Sequence, residues 1–565
     1  MGKAKRLISR RQIIEWIAEG KAIVLYDRNV LNLTAWIKYH PGGETAVYHM
    51  IGKQASDEMN AYHSEETINT FTKWKVGEID FEWENLLPPI QGADYSKFTE
   101  NNVSVLDGKL DETSSNSDFD VIDSSTSSIT DESTLAAKDG MGFPKGKVVP
   151  VVPQNVLVND ENKGEIFKNK ESGKIVDPKV LMELYDNGLS QNDLESIPSL
   201  DYETQLSLRK KYNQLHKTII DLGLYKCDYW NYVRELMKIT SLFILSFSFL
   251  KWDWLFASAL FMGMAWHQMT FIAHDAGHIS ITHNYQFDNI FGIVIADWFG
   301  GLSLGWWKRN HNVHHLITND PVHDPDIQHL PFFAVSVRLF QNVYSTYYDR
   351  ELTFDKAAQV LIQYQKYLYY PILCFGRFNL YRLSWEYLLL GKGPRHGKAA
   401  WFRYFEIAGL SWFFFWFFYL VVYKSIDGGW NRFNYVMVSH IATMLVHVQI
   451  TLSHFAMSTA DLGVSESFAS RQIRTTMDVD CPEWLDFFHG GLQFQAIHHL
   501  FPRLPKHNLR RAQPYVIDFC KDVGLNYSIY GFGEGNEIVI DKLGEIGKQC
   551  SIMLDATKHY NGDLY

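Results

Sequence analysis

Three groups of histidines carry the chemistry of this 565-residue chain: His274-Asp275-Ala276-Gly277-His278, His311-Asn312-Val313-His314-His315 and Gln495-Ala496-Ile497-His498-His499. Residues three or four apart on a helix face the same way, so each group sets its side chains on one side of a helical turn. The first uses the i, i+4 spacing and the second uses i, i+3 and i+4. The third repeats the second with Gln495 in place of the leading histidine. Seven histidines so arranged can surround two metal ions with neutral nitrogen ligands. All three groups adjoin long apolar segments, where a polar side chain is costly and generally functional. Imidazole suits iron, zinc and copper by ligand type alone. Zinc is redox-inert and does not account for the electron source described next. Paired non-haem irons with open positions can reduce O2 and take hydrogen from an unactivated methylene, which no side chain can do.

The electron source is at the amino end. His40-Pro41-Gly42-Gly43 opens a sharp turn, and Ala61-Tyr62-His63-Ser64-Glu65 places a second histidine 23 residues after His40. Two histidines on opposing corners can ligate one haem iron from both faces, which leaves no position for O2 and makes the iron a single-electron carrier. Tyr39, Tyr62 and Phe71 are an aromatic packing set. Glu44, Asp57, Glu58, Glu65 and Glu66 offer an acidic rim to a basic reductase.

Other histidines fall on helical stripes. His267 lies seven residues before His274; His440, His447 and His454 are also seven apart. His454 is expected nearest the metals, with His447 about 10 Å deeper at the helical rise. It is either a further ligand or a hydrogen-bonded neighbour; His440 and His267 are expected to be structural. His283, His323 and His329, with Asp275, Asp320, Asp324 and Asp326, are candidates for orienting ligand N–H groups. Asp320-Pro321 and Asp324-Pro325 also read as turns.

Four apolar segments must position these groups. Ile239–Leu250 and Trp254–Ala273 form one pair, joined by Lys251-Trp252-Asp253. Ile407–Tyr423 and Phe433–Ser453 form the second, joined through Asp427-Gly428-Gly429. Trp254–Ala273 holds twenty residues without a formal charge, enough for about 30 Å of hydrocarbon. Two hairpins leave every histidine group on one side. Arg209-Lys210-Lys211, Lys308-Arg309, Lys392 to Arg403 and Arg510-Arg511 crowd that side, which the positive-inside bias makes the cytosol. Phe287–Leu304 and Leu361–Phe375 are shorter or wetter and expected at the interface. Around this body, residues 1–85 have the mixture of a small soluble domain. Residues 86–225 form a linker, with a Ser- and Asp-rich disordered tether over about 96–138 and a charged, helix-like stretch from about 180 to 225. Residues 226–515 are the membrane body and 516–565 a cytosolic tail.

Composition narrows the classes. The net charge is −11 and no dense basic stripe is present, so no nucleic-acid partner is expected. Five scattered cysteines without a CxxC argue against a disulfide framework. The mean hydropathy of −0.18 averages polar ends with an apolar middle. Met1-Gly2-Lys3-Ala4-Lys5-Arg6 lacks the apolar core of a signal peptide.

Tyr39-His40-Pro41-Gly42-Gly43 with His63 resembles cytochrome b5. The three histidine boxes resemble the membrane front-end desaturases, which fuse that domain to a di-iron body. Gly490-Gly491-Leu492-Gln493-Phe494-Gln495, then His498-His499-Leu500-Phe501-Pro502, matches that family's third box. Ala496-Ile497 stands where relatives commonly carry Ile-Glu. The resemblance covers residues 10–80 and roughly 225–515. The tether and extended carboxyl end resemble the fungal Δ8-sphingolipid (long-chain base) desaturases. It implies a small α+β cytochrome b5-like domain fused by a disordered linker to an all-α integral membrane di-iron domain. That domain would have about four transmembrane helices in two hairpins. Implied cofactors are haem b on His40 and His63, two non-haem irons on His274, His278, His311, His314, His315, His498 and His499, and O2. Gln495 and His454 are the expected additions to the ligand set. NADH would act through cytochrome b5 reductase at the endoplasmic reticulum membrane, with the boxes and termini cytosolic. The implied substrate is ceramide or a related lipid, desaturated at carbon 8 of its long-chain base. A front-end fatty acyl desaturase, a lipid hydroxylase and a non-catalytic membrane haem or metal carrier are the alternatives.

Overall fold

The structure is a computed structural model that describes residues 6–96, 156–159, 166–169 and 176–562. The expected Ser-rich tether lies, beyond its first residue, outside the described residues.

The amino-terminal domain is built on a three-stranded antiparallel sheet. Ile23–Tyr26 (β1) and Asn29–Asn32 (β2) form a tight hairpin, and Lys75–Glu78 (β3) adds to β2. Helix Arg10–Ala18 is capped by Ser9 and presents Ile13, Ile14 and Ile17 to the core beneath the sheet. Short helix Glu44–Tyr48 follows the His40-Pro41-Gly42-Gly43 turn, and short helix Ser56–Tyr62 ends at His63. This is the expected small α+β unit.

The body is helical. Tyr229–Lys251 and Leu255–Gly277 form the first hairpin, and their turn needs Asp253 in the left-handed region at φ 62°. Among the described residues, three helices are long and apolar enough to cross a membrane: Leu255–Gly277, Gly397–Lys424 and Gly429–Phe455. Tyr229–Lys251 carries Arg234, Glu235 and Lys238 in its first half, so its apolar stretch is short. Gly263 lets the first hairpin meet the second: an added Cβ would lie 2.4 Å from the Ser439 carbonyl oxygen. Tyr285–Phe299 and Leu304–Leu316 form a pair bent by 116°, so the segment expected at the interface is one arm of a sharp bend. Leu361–Phe375 falls in two short helices with Tyr364, Tyr367, Tyr370 and Phe375 exposed, the aromatic surface of an interfacial segment.

Two stretches differ from their sequence reading. The charged, helix-like 180–225 stretch, read as part of the linker, forms helices Pro178–Ser196 and Tyr202–Asp221 that pack into the body. Tyr212 is fully buried and donates to the Leu500 carbonyl at 2.8 Å, beside the third histidine box. Of the segment expected as a tail, 516–523 complete helix Leu509–Val523, Ile529–Gly531 pairs with Asp478–Asp480, and Phe532–Gly562 is a long helix. Val539, Leu543, Ile546, Cys550 and Met553 recur at helical spacing and bury against the body. In both stretches intervening charges obscure a narrow apolar stripe.

Candidate metal centre and haem cleft

Each box sits at a helix end. His274 closes Leu255–Gly277 and His278 is its C-cap. The second box ends Leu304–Leu316, whose first turn is capped by the Ser303 hydroxyl. The third lies on Gln495–Leu500. Gly277 is required where boxes one and two meet, because a Cβ there would come 2.2 Å from the Trp307 ring. Asp478 accepts from the Ala496 N–H at 2.8 Å and anchors the start of the third box.

The boxes converge into two ligand groups. His274, His278, His311 and His498 place one ring nitrogen each within 4.8 Å of one another, and His314, His454 and His499 do the same. A third overlapping group is His311, His314 and Asp326. His315 stands between the first two: its ring centroid is 4.8 Å from His278, 4.8 Å from His498 and 4.1 Å from His499. All seven box histidines and His454 are thus brought together. Gln495 is buried one turn before His498 and His499.

The pattern of satisfied and unsatisfied nitrogens tests whether metals fit. Nε2 of His274, His278, His314, His498 and His499, and Nδ1 of His315 and His454, are buried with no hydrogen-bond partner. Leaving one such atom unpaired costs about 1–3 kcal/mol, and seven in one cluster call for cations. Several opposite nitrogens are held. His314 Nδ1 donates to Asp324 at 2.8 Å, His311 Nδ1 lies 3.3 Å from Asp326, and His499 Nδ1 lies 2.9 Å from the Gln472 amide oxygen. These contacts orient the rings and fix which nitrogen is free. Burial, then the neighbouring rings, holds His498 and His499 well below the usual histidine range. Both are neutral, as ligands must be. Burial opposes the charge of Asp326, yet His314 and His311 keep its carboxyl below the usual range. The donor set fits two metal ions.

Of the expected orienting acids, Asp324 and Asp326 serve. Asp275 lies 3.6 Å from His274 and accepts from the Tyr232 hydroxyl at 2.6 Å. Asp320 instead closes the Pro321 turn through the Val322 and His323 N–H groups. His283 contacts the Tyr225 carbonyl, His323 contacts Thr346, and His329 packs on Phe455. His267 packs between Phe271 and Phe488, and His440 meets the Tyr381 hydroxyl. None of these joins a ligand group. Sequence reading missed Gln472 and also Asn319. The Asn319 amide donates to the carbonyls of His454 (2.9 Å), Ser458 (3.1 Å) and Thr475 (3.1 Å), tying box two to the His454 helix. An Asn beside a proline turn was the only available signal.

In the amino-terminal domain the His40 and His63 rings face one another, with centroids 6.1 Å apart. His40 Nδ1 donates to the Gly43 carbonyl at 2.8 Å and His63 Nδ1 to the Met59 carbonyl at 2.9 Å. Each Nε2 therefore keeps its lone pair available to ligate a haem iron. Burial, then His40, pushes His63 down to about 4, so it stays neutral. Trp36 flanks His40 and Phe71 flanks His63. This donor set fits a haem. The other two expected packing aromatics face the body instead, Tyr39 against His396 and Tyr62 against His315. The acidic rim also needs correction. Glu44, Glu65 and Glu66 are exposed, but Asp57 is buried against the body, where it accepts from Arg209 and Asn213, each at 3.2 Å.

Residues 10–80 match the cytochrome b5-like haem/steroid-binding domain family and residues 252–531 match the fatty acid desaturase family. The chain is 69% identical to a Delta 8-(E)-sphingolipid desaturase of Candida albicans, over 100% of this chain and 99% of that protein. It is 49% identical to one of Emericella nidulans, over 98% and 96%. An acyl-lipid (9-3)-desaturase of Borago officinalis is 36% identical, over 52% of this chain and 64% of its own length. The chain belongs to the cytochrome b5-fused membrane desaturases. It is an oxidoreductase of lipid metabolism with a multi-pass membrane body.

Proposed function

We propose that this enzyme introduces a trans double bond at carbon 8 of the long-chain base of ceramide, using O2. Electrons come from NADH through cytochrome b5 reductase and the fused haem. The observation that carries the chemistry is the pair of histidine groups, with seven buried ring nitrogens lacking a hydrogen-bond partner. Support for the substrate comes from relatives named for Δ8-(E)-sphingolipid desaturation that match essentially the whole chain, whereas the acyl-lipid relative matches about half.

In this reading His274, His278, His311 and His498 would hold one iron and His314, His454 and His499 the second, with His315 standing between the two groups. Bound irons would supply oxidation of an unactivated C–H bond and a bound haem single electrons. The chain's residues fix the geometry. Asp324 keeps the His314 proton on Nδ1 and so frees Nε2, and Gln472 does the same for the Nδ1 side of His499. The second group and all of the first but the partly exposed His274 are buried, which keeps bulk water from the metals they would hold. The basic residues beside the boxes favour their placement on the cytosolic face of the endoplasmic reticulum membrane.

Expression in a host lacking Δ8-unsaturated bases tests this. Trans-Δ8 long-chain bases should appear at the expense of saturated ones, and His499→Ala should abolish them. New double bonds in fatty acids with unchanged long-chain bases would establish the acyl alternative instead.

A further inference from the structure

The haem cleft is built into the metal-bearing body. Tyr62, covalently next to His63, sets its ring edge-on to the His315 ring, with centroids 6.0 Å apart and planes at 81°. The Gly42 carbonyl, two residues after His40, accepts from the Asn312 amide at 3.2 Å, and Asn312 lies between His311 and His314. Ala61 is fully buried, in one core with Tyr212, Ile497 and Leu500 of the body. In return Leu316, which follows His315, packs on the core of the amino-terminal domain. Asp57 completes the attachment through Arg209 and Asn213. Swinging the domain away would expose this shared apolar surface and strip a buried carboxylate of its partners.

We infer that the haem domain works as a fixed part of the catalytic body, with the Tyr62 ring as the positioning contact that couples His63 to His315. The inference rests on the electron-relay reading above. Each passage oxidises one ferrous haem to ferric and delivers one electron to the metals held by the boxes. Two passages and two protons from water accompany each O2 reduced to two waters and each pair of hydrogens taken from the lipid. The Tyr62 hydroxyl is buried without a hydrogen-bond partner, so the ring rather than the oxygen makes the contact.

The test uses the purified full-length holoenzyme with its haem reduced anaerobically, then mixed with O2 and ceramide while haem absorbance is followed. Tyr62→Leu should slow haem reoxidation by about tenfold, with haem content, iron content and reductase-driven haem reduction unchanged. Tyr62→Phe should reoxidise at the wild-type rate. Wild-type reoxidation in Tyr62→Leu, or equal slowing in both variants, would overturn the contact. Failure of the wild-type haem to reoxidise would instead overturn the relay reading itself. Hydrogen exchange on the unmodified holoenzyme is independent of how the variants fold. Amides of residues 56–62 should be protected as strongly as those of 497–500, and exchange typical of an exposed helix would contradict a fixed domain.

Discussion

His314 donates its Nδ1 proton to Asp324 across 2.8 Å, and both side chains are shut off from solvent. Asp324 is further fixed by the Asn319 and Asp326 N–H groups, each at 2.8 Å. The pair therefore holds one ring of the second ligand group in a single orientation. Asp324→Ala should lower iron affinity and turnover by about 10- to 100-fold, with the haem spectrum unchanged. Iron analysis of the purified variant beside its absorbance measures both; full iron occupancy with full turnover would remove Asp324 from the centre.

The grouping of His454 with His314 and His499 predicts unequal roles along one helical stripe. His454→Ala should lose about one of two irons and all product, whereas His440→Ala, seven residues before His447, should keep both irons. Metal content by mass spectrometry decides it, and equal loss in the two variants would contradict the assignment.

The spacing of each box was legible in the sequence, because i, i+3 and i+4 positions share a helix face whatever the tertiary fold. The partition into two ligand groups was not. His311 sides with boxes one and three, His314 sides with His454 and His315 stands between the groups, and only the packing of four helix ends decides that. His454 was legible as the end of a seven-residue stripe, but its contact with His314 was not. The helix-like character of 180–225 was legible, but its burial, and the packed helices of 509–562, were hidden because charged faces outnumber one narrow buried stripe. Asp57 looked like part of a solvent rim because nothing in the local sequence shows Arg209 reaching it from 152 residues away.

Removing the haem ligands should separate the two centres. His40→Ala or His63→Ala should abolish the reduced-haem spectrum while leaving iron content near two per chain. Haem retained in both variants would contradict axial ligation by this pair.

Electron entry should depend on the exposed acids alone. Charge reversal of Glu44, Glu65 and Glu66 together should slow reductase-driven haem reduction and weaken its dependence on ionic strength. Stopped-flow haem reduction at two salt concentrations checks this; an unchanged rate at low salt would rule out this face as the docking site.

Asp478 gives a stability signature. Burial pushes its carboxyl up to about 7 although Tyr527 and the Ala496 N–H oppose the shift, whereas the unfolded chain ionises at about 3.9. The folded state holds the extra proton, so this contribution is complete below the unfolded value and lost as pH rises through the folded one. Wild-type thermal stability should fall between pH 5 and 8 more than that of Asp478→Asn, which keeps the acceptor for Ala496. Parallel melting curves for the two proteins would contradict the assignment.

The most direct test of the account is reconstitution of the purified enzyme with cytochrome b5 reductase, NADH, O2 and ceramide. One trans-Δ8 double bond should form for each NADH and each O2 consumed, with no oxygen incorporated into the lipid. A hydroxylated product, or consumption of NADH and O2 without any change in the long-chain base, would contradict it.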